Sequence, residues 1–261
     1  MSAQRGFTLI ELVIVIVLLA IVAGFSFQFV GIGAQMFSTG SERLQTIEKS
    51  RFAIERLTRE VRGAVPNSVR VSGDCIEFVP AKVAGTYYDT PIRPDSSNEM
   101  TLVTFAGSPD VGNINWTLDG NERVFIYATQ PNFIYANNPQ RYVNIAGINS
   151  FNSVESLLTL EADSQFAKES PLKRAYIGST PVSFCLSAGN LFRVSDYGWS
   201  QAQTEWTSGY LMATGVSSDE PFDVTANNQQ SNNIVTIELQ FGENAEEQVF
   251  YYREVHIPNA P

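Results

Sequence analysis

The amino-acid sequence predicts an α+β protein: one long N-terminal helix, hydrophobic and then amphipathic, followed by a mainly β globular head. Three observations carry this reading. The densest apolar block runs from Leu9 to Val30, apolar residues between 38 and 65 recur at helical spacings, and beyond Pro66 the chain turns to short β-type runs separated by turn residues. The expected organisation is residues 1–6 as a short leader, 7–37 as a hydrophobic transmembrane helix, 38–65 as its amphipathic continuation and 66–261 as the head.

The leader, Met1 to Gly6, is short and polar with one basic side chain, Arg5, and leads at once into Phe7-Thr8-Leu9-Ile10-Glu11. A secretory signal would carry an A-x-A-like cleavage site after its apolar core. Here residues 12–25 contain no such site and continue into more apolar sequence, so the hydrophobic segment reads as retained. About 20 helical residues rising ~1.5 Å each cross a bilayer core of ~30 Å, and the run from Phe7 to Ile32 is long enough. With Arg5 beside the amino terminus, the positive-inside rule predicts a single-pass protein with its N-terminus cytoplasmic and its head periplasmic or extracellular.

Glu11 breaks the apolar run. A carboxylate inside a membrane helix costs a few kcal/mol unless it lies near the interface or finds a partner, which makes it a functional candidate. If the chain is cut after Gly6, the new α-amino group of Phe7 lies one helical turn from Glu11 at the positive end of the helix dipole. The pair either closes within one chain or forms between the Glu11 of one subunit and the Phe7 amine of a neighbour, a head-to-tail contact of the kind that builds filaments. A Glu merely resting in the headgroup layer is the plain alternative.

The string Arg5-Gly6-Phe7-Thr8-Leu9-Ile10-Glu11 with the apolar run behind it resembles the class III leader of type IV pilins and of type II secretion pseudopilins. The resemblance covers about the first 30 residues. It implies cleavage after Gly6 and N-methylation of Phe7 by a prepilin peptidase, and Glu11 as the residue that docks an incoming subunit. Gln28 stands where major pilins carry a helix-kinking proline, which leans toward a minor subunit and leaves any bend to Gly24, Gly31 or Gly33.

Residues 38–65 place Leu44, Ile47, Ile54, Leu57, Val61 and Val65 on one face, with six basic and four acidic residues between them, and Gly63 and Pro66 end the helix. This is the one basic patch of an acidic chain, either a solvated helix face or a contact for acidic heads of neighbouring subunits. Strands are expected at 69–72, 75–79, 101–106, 123–128, 182–187, 190–195, 209–214, 234–241 and 248–257, with a hairpin turn at Ala188-Gly189-Asn190. Residues 89–99, 130–140 and 217–233 read as loops, and 153–168 as one short helix.

A net charge of −10 argues against a nucleic-acid partner. His256 is the single histidine, so triads and multi-histidine metal sites are excluded, and neither a GxSxG elbow nor a Walker A loop is present. The expectation is no enzyme and no cofactor. Acidic and amide residues cluster at Asp89, Asp95, Asn98 and Glu99, and at Asp219, Glu220, Asp223, Asn227 and Asn228. Their oxygens suit Ca²⁺, with Asp219 and Asp223 as the candidates, but neither cluster has EF-hand spacing and solvated loops are the alternative. Tyr87, Tyr88, Trp199, Trp206 and Tyr210 are either core or a sugar- or partner-binding surface. Cys75 and Cys185 belong to no CxxC pair and read as one disulfide, closing a loop worth roughly 4 to 5 kcal/mol, or as two buried thiols.

The helix Arg51 to Arg62, its exit through Pro66-Asn67-Ser68-Val69-Arg70 and the ending Val255-His256-Ile257-Pro258-Asn259-Ala260-Pro261 resemble minor pilins of the mannose-sensitive haemagglutinin pilus system, and are similar to the larger minor pseudopilins of type II secretion. That resemblance implies a low-copy subunit that initiates, caps or decorates a pilus. Its partners would be a prepilin peptidase and methylase, other major and minor pilins, an inner-membrane assembly platform, and membrane lipid before assembly. A pseudopilin and a carbohydrate- or surface-binding tip adhesin are the alternatives.

Overall fold

The computed structural model describes residues 7–104, 118–137, 140–150, 154–225, 233–242 and 248–257. The chain divides into two compact units, residues 1–48 and 49–261. Helix α1 (Leu9–Arg62) supplies all the regular structure of the first unit and opens the second.

In the first unit α1 runs unbroken through Gly24, Gly31 and Gly33. Its large side chains are exposed all round, from Leu9 at 82% to Phe37 at 80%. A helix that is apolar on every side needs a membrane or protein neighbours to cover it. Among the described residues it is the one helix long and apolar enough to cross a membrane.

In the second unit α1 becomes one-sided. Ser50, Ala53, Ile54, Leu57 and Val61 are buried, while Arg51, Phe52, Glu55, Arg59 and Arg62 face solvent. The helix stops at Arg62, short of Val65. The Gly63 N–H is shared between Arg59 O and Glu60 O, the Ala64 N–H reaches back to Val61 O, and Ala64 then bridges to Pro80.

Strands β1 (Arg70–Ser72) and β2 (Cys75–Phe78) follow as a tight antiparallel pair. The chain then forms β3 (Ala81–Tyr88), β4 (Ser97–Thr104), β5 (Arg123–Ile126), the short helix α2 (Asn132–Tyr135), β6 (Tyr142–Ser150), β7 (Glu155–Ser164) and β8 (Arg174–Gly178). These six strands close into a barrel in the order β3-β4-β7-β6-β5-β8. Strands β9 (Val182–Ser187), β10 (Asn190–Val194) and β11 (Tyr210–Thr214) complete a five-stranded sheet, β1-β2-β9-β10-β11. Strands β12 (Val216–Ser217), β13 (Phe222–Thr225), β14 (Asn233–Phe241) and β15 (Val249–Ile257) form a second sheet, in which β14 pairs with the other three. The barrel is thus an insertion between β2 and β9, which themselves pair.

Three apolar clusters hold this arrangement. The buried face of α1 packs against both sheets through Ile54, Leu57, Phe78, Phe184, Ile237 and Val255 among others. The barrel encloses its own core, including Met100, Leu102, Val124, Leu158, Phe166 and Ile177. A smaller cluster of Val65, Val79, Phe125, Ile134, Tyr135 and Tyr142, with Trp199 against it, joins barrel to sheet. Gly178 sits at this junction, where a Cβ would run into Val79 and crowd Phe125 and Val65, so a larger residue would force the two bodies apart.

The α+β layout of one long apolar helix and a mostly β domain is the one expected. The helix expected over 153–168 is corrected to a strand. Ser156, Leu158 and Leu160 are buried in alternation with half-buried Glu155, Leu157 and Thr159, and β7 is paired on both sides, by β4 and β6. Its Glu, Leu and Ala content favours helix, and two ladders of backbone hydrogen bonds override that weak preference. The loop expected over 89–99 gives up its end to β4, that over 130–140 contains α2, and that over 217–233 contains β13.

Candidate functional site

The first turn of α1 gathers the sequence-derived assembly residues. Thr8 precedes the helix, and its carbonyl accepts the N–H groups of Glu11 at 3.1 Å and Leu12 at 3.3 Å. Glu11 is the acidic residue of this turn, where unpaired backbone N–H groups favour an anion. Phe7 is 78% exposed. Gly6 and the rest of the leader lie outside the described residues. What the segment offers chemically is one carboxylate on an otherwise apolar, uncovered helix.

Cys75 and Cys185 are bonded to each other. They are direct partners in the β2–β9 ladder, with Cα atoms 4.1 Å apart, and the Leu186 N–H donates to Asp74 O beside them. That flanking bond marks the pair as a non-hydrogen-bonded position, the closer of the two antiparallel registers, and the one whose side chains approach. Both sulfurs are buried, at 2% and 0% residue exposure.

Two buried carboxylates went unread in the sequence. Glu77, 1% exposed, bonds Arg70 and accepts the Tyr197 O–H at 2.8 Å, while Arg70 also donates to Gln201 O and Ser200 O and lies 3.7 Å from the Tyr135 ring centroid. Burial, followed by the charge of Glu77, pushes the Tyr197 phenol well above the ordinary tyrosine value. Glu122, 1% exposed, bonds Lys82 and accepts the N–H groups of Asp119, Gly120 and Asn121. Lys82 also bonds Asp119. Each carboxylate is paired and hydrogen-bonded, the condition under which a buried charge is tolerated. Both networks fasten loops to the sheet and barrel and are structural.

The remaining candidates stay apart. Asp219 and Asp223 are both exposed, Asn227 and Asn228 lie outside the described residues, and among the described residues no group of three or more His, Cys, Asp or Glu is placed to hold a metal. His256 is exposed on β15 opposite Ile234. Trp199 is packed at the barrel junction, Trp206 lies against Tyr197, and Tyr210 is 70% exposed on β11, so these aromatics form no single surface. Tyr87 and Tyr88, by contrast, line one cleft with Asp89, Asp95 and Ser97. On α1, Arg51, Arg59 and Arg62 are exposed, and Arg56 pairs with Glu60, which Arg193 also reaches.

Residues 1–27 match the family model described as the prokaryotic N-terminal methylation motif. No curated protein and no solved structure matches the chain. The matched segment contains Gly6, Phe7 and Glu11, and supports a type IV pilin- or pseudopilin-like protein. The class III leader implies processing by a prepilin peptidase and assembly with pilus machinery, and with the apolar helix it fits a membrane-anchored pilin.

Proposed function

We propose that this chain is a minor pilin of a type IV pilus, of the mannose-sensitive haemagglutinin type, acting by subunit contacts at the start, cap or tip of the filament. The leader is removed after Gly6 and Phe7 is methylated. Residues 7–37 hold the subunit in the inner membrane with its head in the periplasm, and Glu11 draws it onto the Phe7 amine of a neighbour. Residues 38–65 continue the helix and 66–261 carry the head to the cell surface.

One observation carries the reading: a single carboxylate in the first turn of a helix whose large apolar side chains from Leu9 to Phe37 are uncovered on every side. Outside a bilayer such a helix needs other helices around it, and the carboxylate needs a cation. The alternative is a pseudopilin, which would use the same helix in a secretion machine.

Sheared filaments test both. The minor-pilin reading expects the protein in them at low copy, starting at methylated Phe7, and fewer pili when its gene is deleted. An intact Met1 terminus would sink the processing step, and normal piliation with loss of secreted proteins would replace the pilus reading with the pseudopilin one.

A further inference from the structure

We propose that the cleft at the β3–β4 end of the inserted barrel is a binding site for a sugar unit carrying an ammonium group. The cleft encloses about 380 Å³, and Tyr87, Tyr88, Asp89, Asp95, Glu169 and Lys173 lie in its lining. That is the small end of the range for ligand pockets and suits one or two sugar rings.

The wall is built before any ligand arrives. The loop from Asp89 to Ser96 is tied to the segment before β8: the Phe166 N–H donates to Pro91 O at 2.8 Å, the Arg93 N–H to Phe166 O at 3.0 Å, and Gln165 Nε2 to Pro94 O at 2.8 Å. Phe166 is fully buried and anchors the tie in the barrel core. A preformed wall spares the ligand the cost of ordering it.

Charge selects the ligand. The lining holds three carboxylates and one ammonium, and Lys173 is engaged with Glu169 at 3.6 Å. Asp89 and Asp95 have no ion-pair or side-chain hydrogen-bond partner among the described residues. A uronic or sialic acid is repelled by such a cleft, and a cation is drawn in. Tyr88 is 41% exposed with its hydroxyl held by Glu155 at 3.1 Å, so its ring offers a fixed face to the C–H side of a sugar ring and to an ammonium beside it.

Tyr87 separates an amino sugar from a simple amine. It is 4% exposed, its oxygen accepts the Ser170 N–H at 2.8 Å, and its own proton has no acceptor among the described residues. A buried donor without a partner is costly. A ligand oxygen supplies the acceptor, and an aliphatic amine brings none. An amino sugar carries both the ammonium and the oxygens.

This inference is independent of how the helix assembles. The test uses the full chain in detergent micelles and calorimetric titration with a glucosamine trimer, its N-acetylated form, a galacturonate trimer and spermidine. The glucosamine trimer should bind, the N-acetylated trimer and spermidine about tenfold more weakly, and the galacturonate not at all. Combined Asp89→Asn and Asp95→Asn should weaken the glucosamine trimer about tenfold, and Tyr87→Phe by about threefold. Asp163→Asn, which removes a carboxylate outside the cleft, should leave it unaltered. Absent binding, equal binding of the N-acetylated trimer or of spermidine, or an Asp163→Asn effect as large as the cleft variants would each overturn the proposal.

Discussion

Cys75 and Cys185 face each other across β2 and β9, and the loop their bond closes contains the whole six-stranded barrel. The 110-residue separation that looks arbitrary in the sequence is the length of an inserted module plus the strand ends that carry it. The bond therefore pins the base of the insertion where the two strands already meet.

Closing so long a loop removes chain entropy from the unfolded state, worth about 4 to 5 kcal/mol in that account of disulfides. Peptide mapping without reductant should recover the Cys75–Cys185 pair from protein exported to the periplasm. The double variant Cys75→Ser, Cys185→Ser should lose about that stability in urea titration. Freely alkylated thiols in native protein would refute the first expectation, and an unchanged urea midpoint the second.

The same geometry predicts that the barrel can be cut out. Phe78 and Val182 are partners in the β2–β9 ladder, so the strands entering and leaving the insertion already form the stem of a hairpin. Replacing residues 80–180 with a short flexible Gly-Ser linker should give a chain that still forms the disulfide and unfolds cooperatively. Its melting temperature should fall, because Phe125, Ile134, Tyr135 and Tyr142 no longer cover Val65 and Val79. A non-cooperative product with free thiols would show that the barrel is part of the folding core.

How far the sequence could be read follows from where each signal lies. Gly6, Phe7 and Glu11 form one local motif, and the strict alternation of β14 and the β-branched and aromatic content of β15 place both strands within a residue or so of their observed ends. β3 escaped because Ala81-Lys82-Val83-Ala84-Gly85-Thr86 has little apolar alternation, and β8 and β4 on its two sides hold it. β7 was misassigned because its helix-favouring residues are overruled by neighbours distant in sequence. The Glu77 network joins residues 7 and 120 positions apart, and only the fold assembles it. The barrel cleft was half legible. Tyr87, Tyr88, Asp89 and Asp95 stood out from composition, whereas Glu169 and Lys173 arrive through the turn before β8.

Acid should weaken the anchor at Glu122. Burial by itself would raise this carboxyl, but the bonds from Lys82 and from backbone N–H groups outweigh it and hold the pKa below the ordinary 4.5. A folded value below the unfolded one means that the stabilisation is complete above about 4.5 and drains away as pH falls through the folded value. Lys82 behaves oppositely. Burial lowers its pKa, the two carboxylates raise it above 10.5, and its share is lost only as pH rises beyond that. Urea midpoints measured from neutral pH downward should fall less steeply for Glu122→Gln than for the wild type. Parallel curves would remove Glu122 from the acid response.

Membrane storage and filament assembly should come apart at Glu11. The apolar run from Leu12 onward is sufficient for insertion, and in the first turns of α1 Glu11 alone carries a charge able to meet another subunit's Phe7 amine. Replacing it with Leu removes the cost of desolvating a carboxylate, so the variant should fractionate with membranes at least as well as the wild type. Its incorporation into filaments should drop sharply, because nothing is left to pair with the incoming amine. Glu11→Asp keeps the charge one methylene shorter and should retain partial incorporation if attraction across a small displacement is what docks the subunit. Crosslinking each variant to its neighbours, with membrane fractionation alongside, reads both halves at once. Undiminished crosslinking of the Leu variant would leave α1 an anchor whose docking is carried by apolar packing alone.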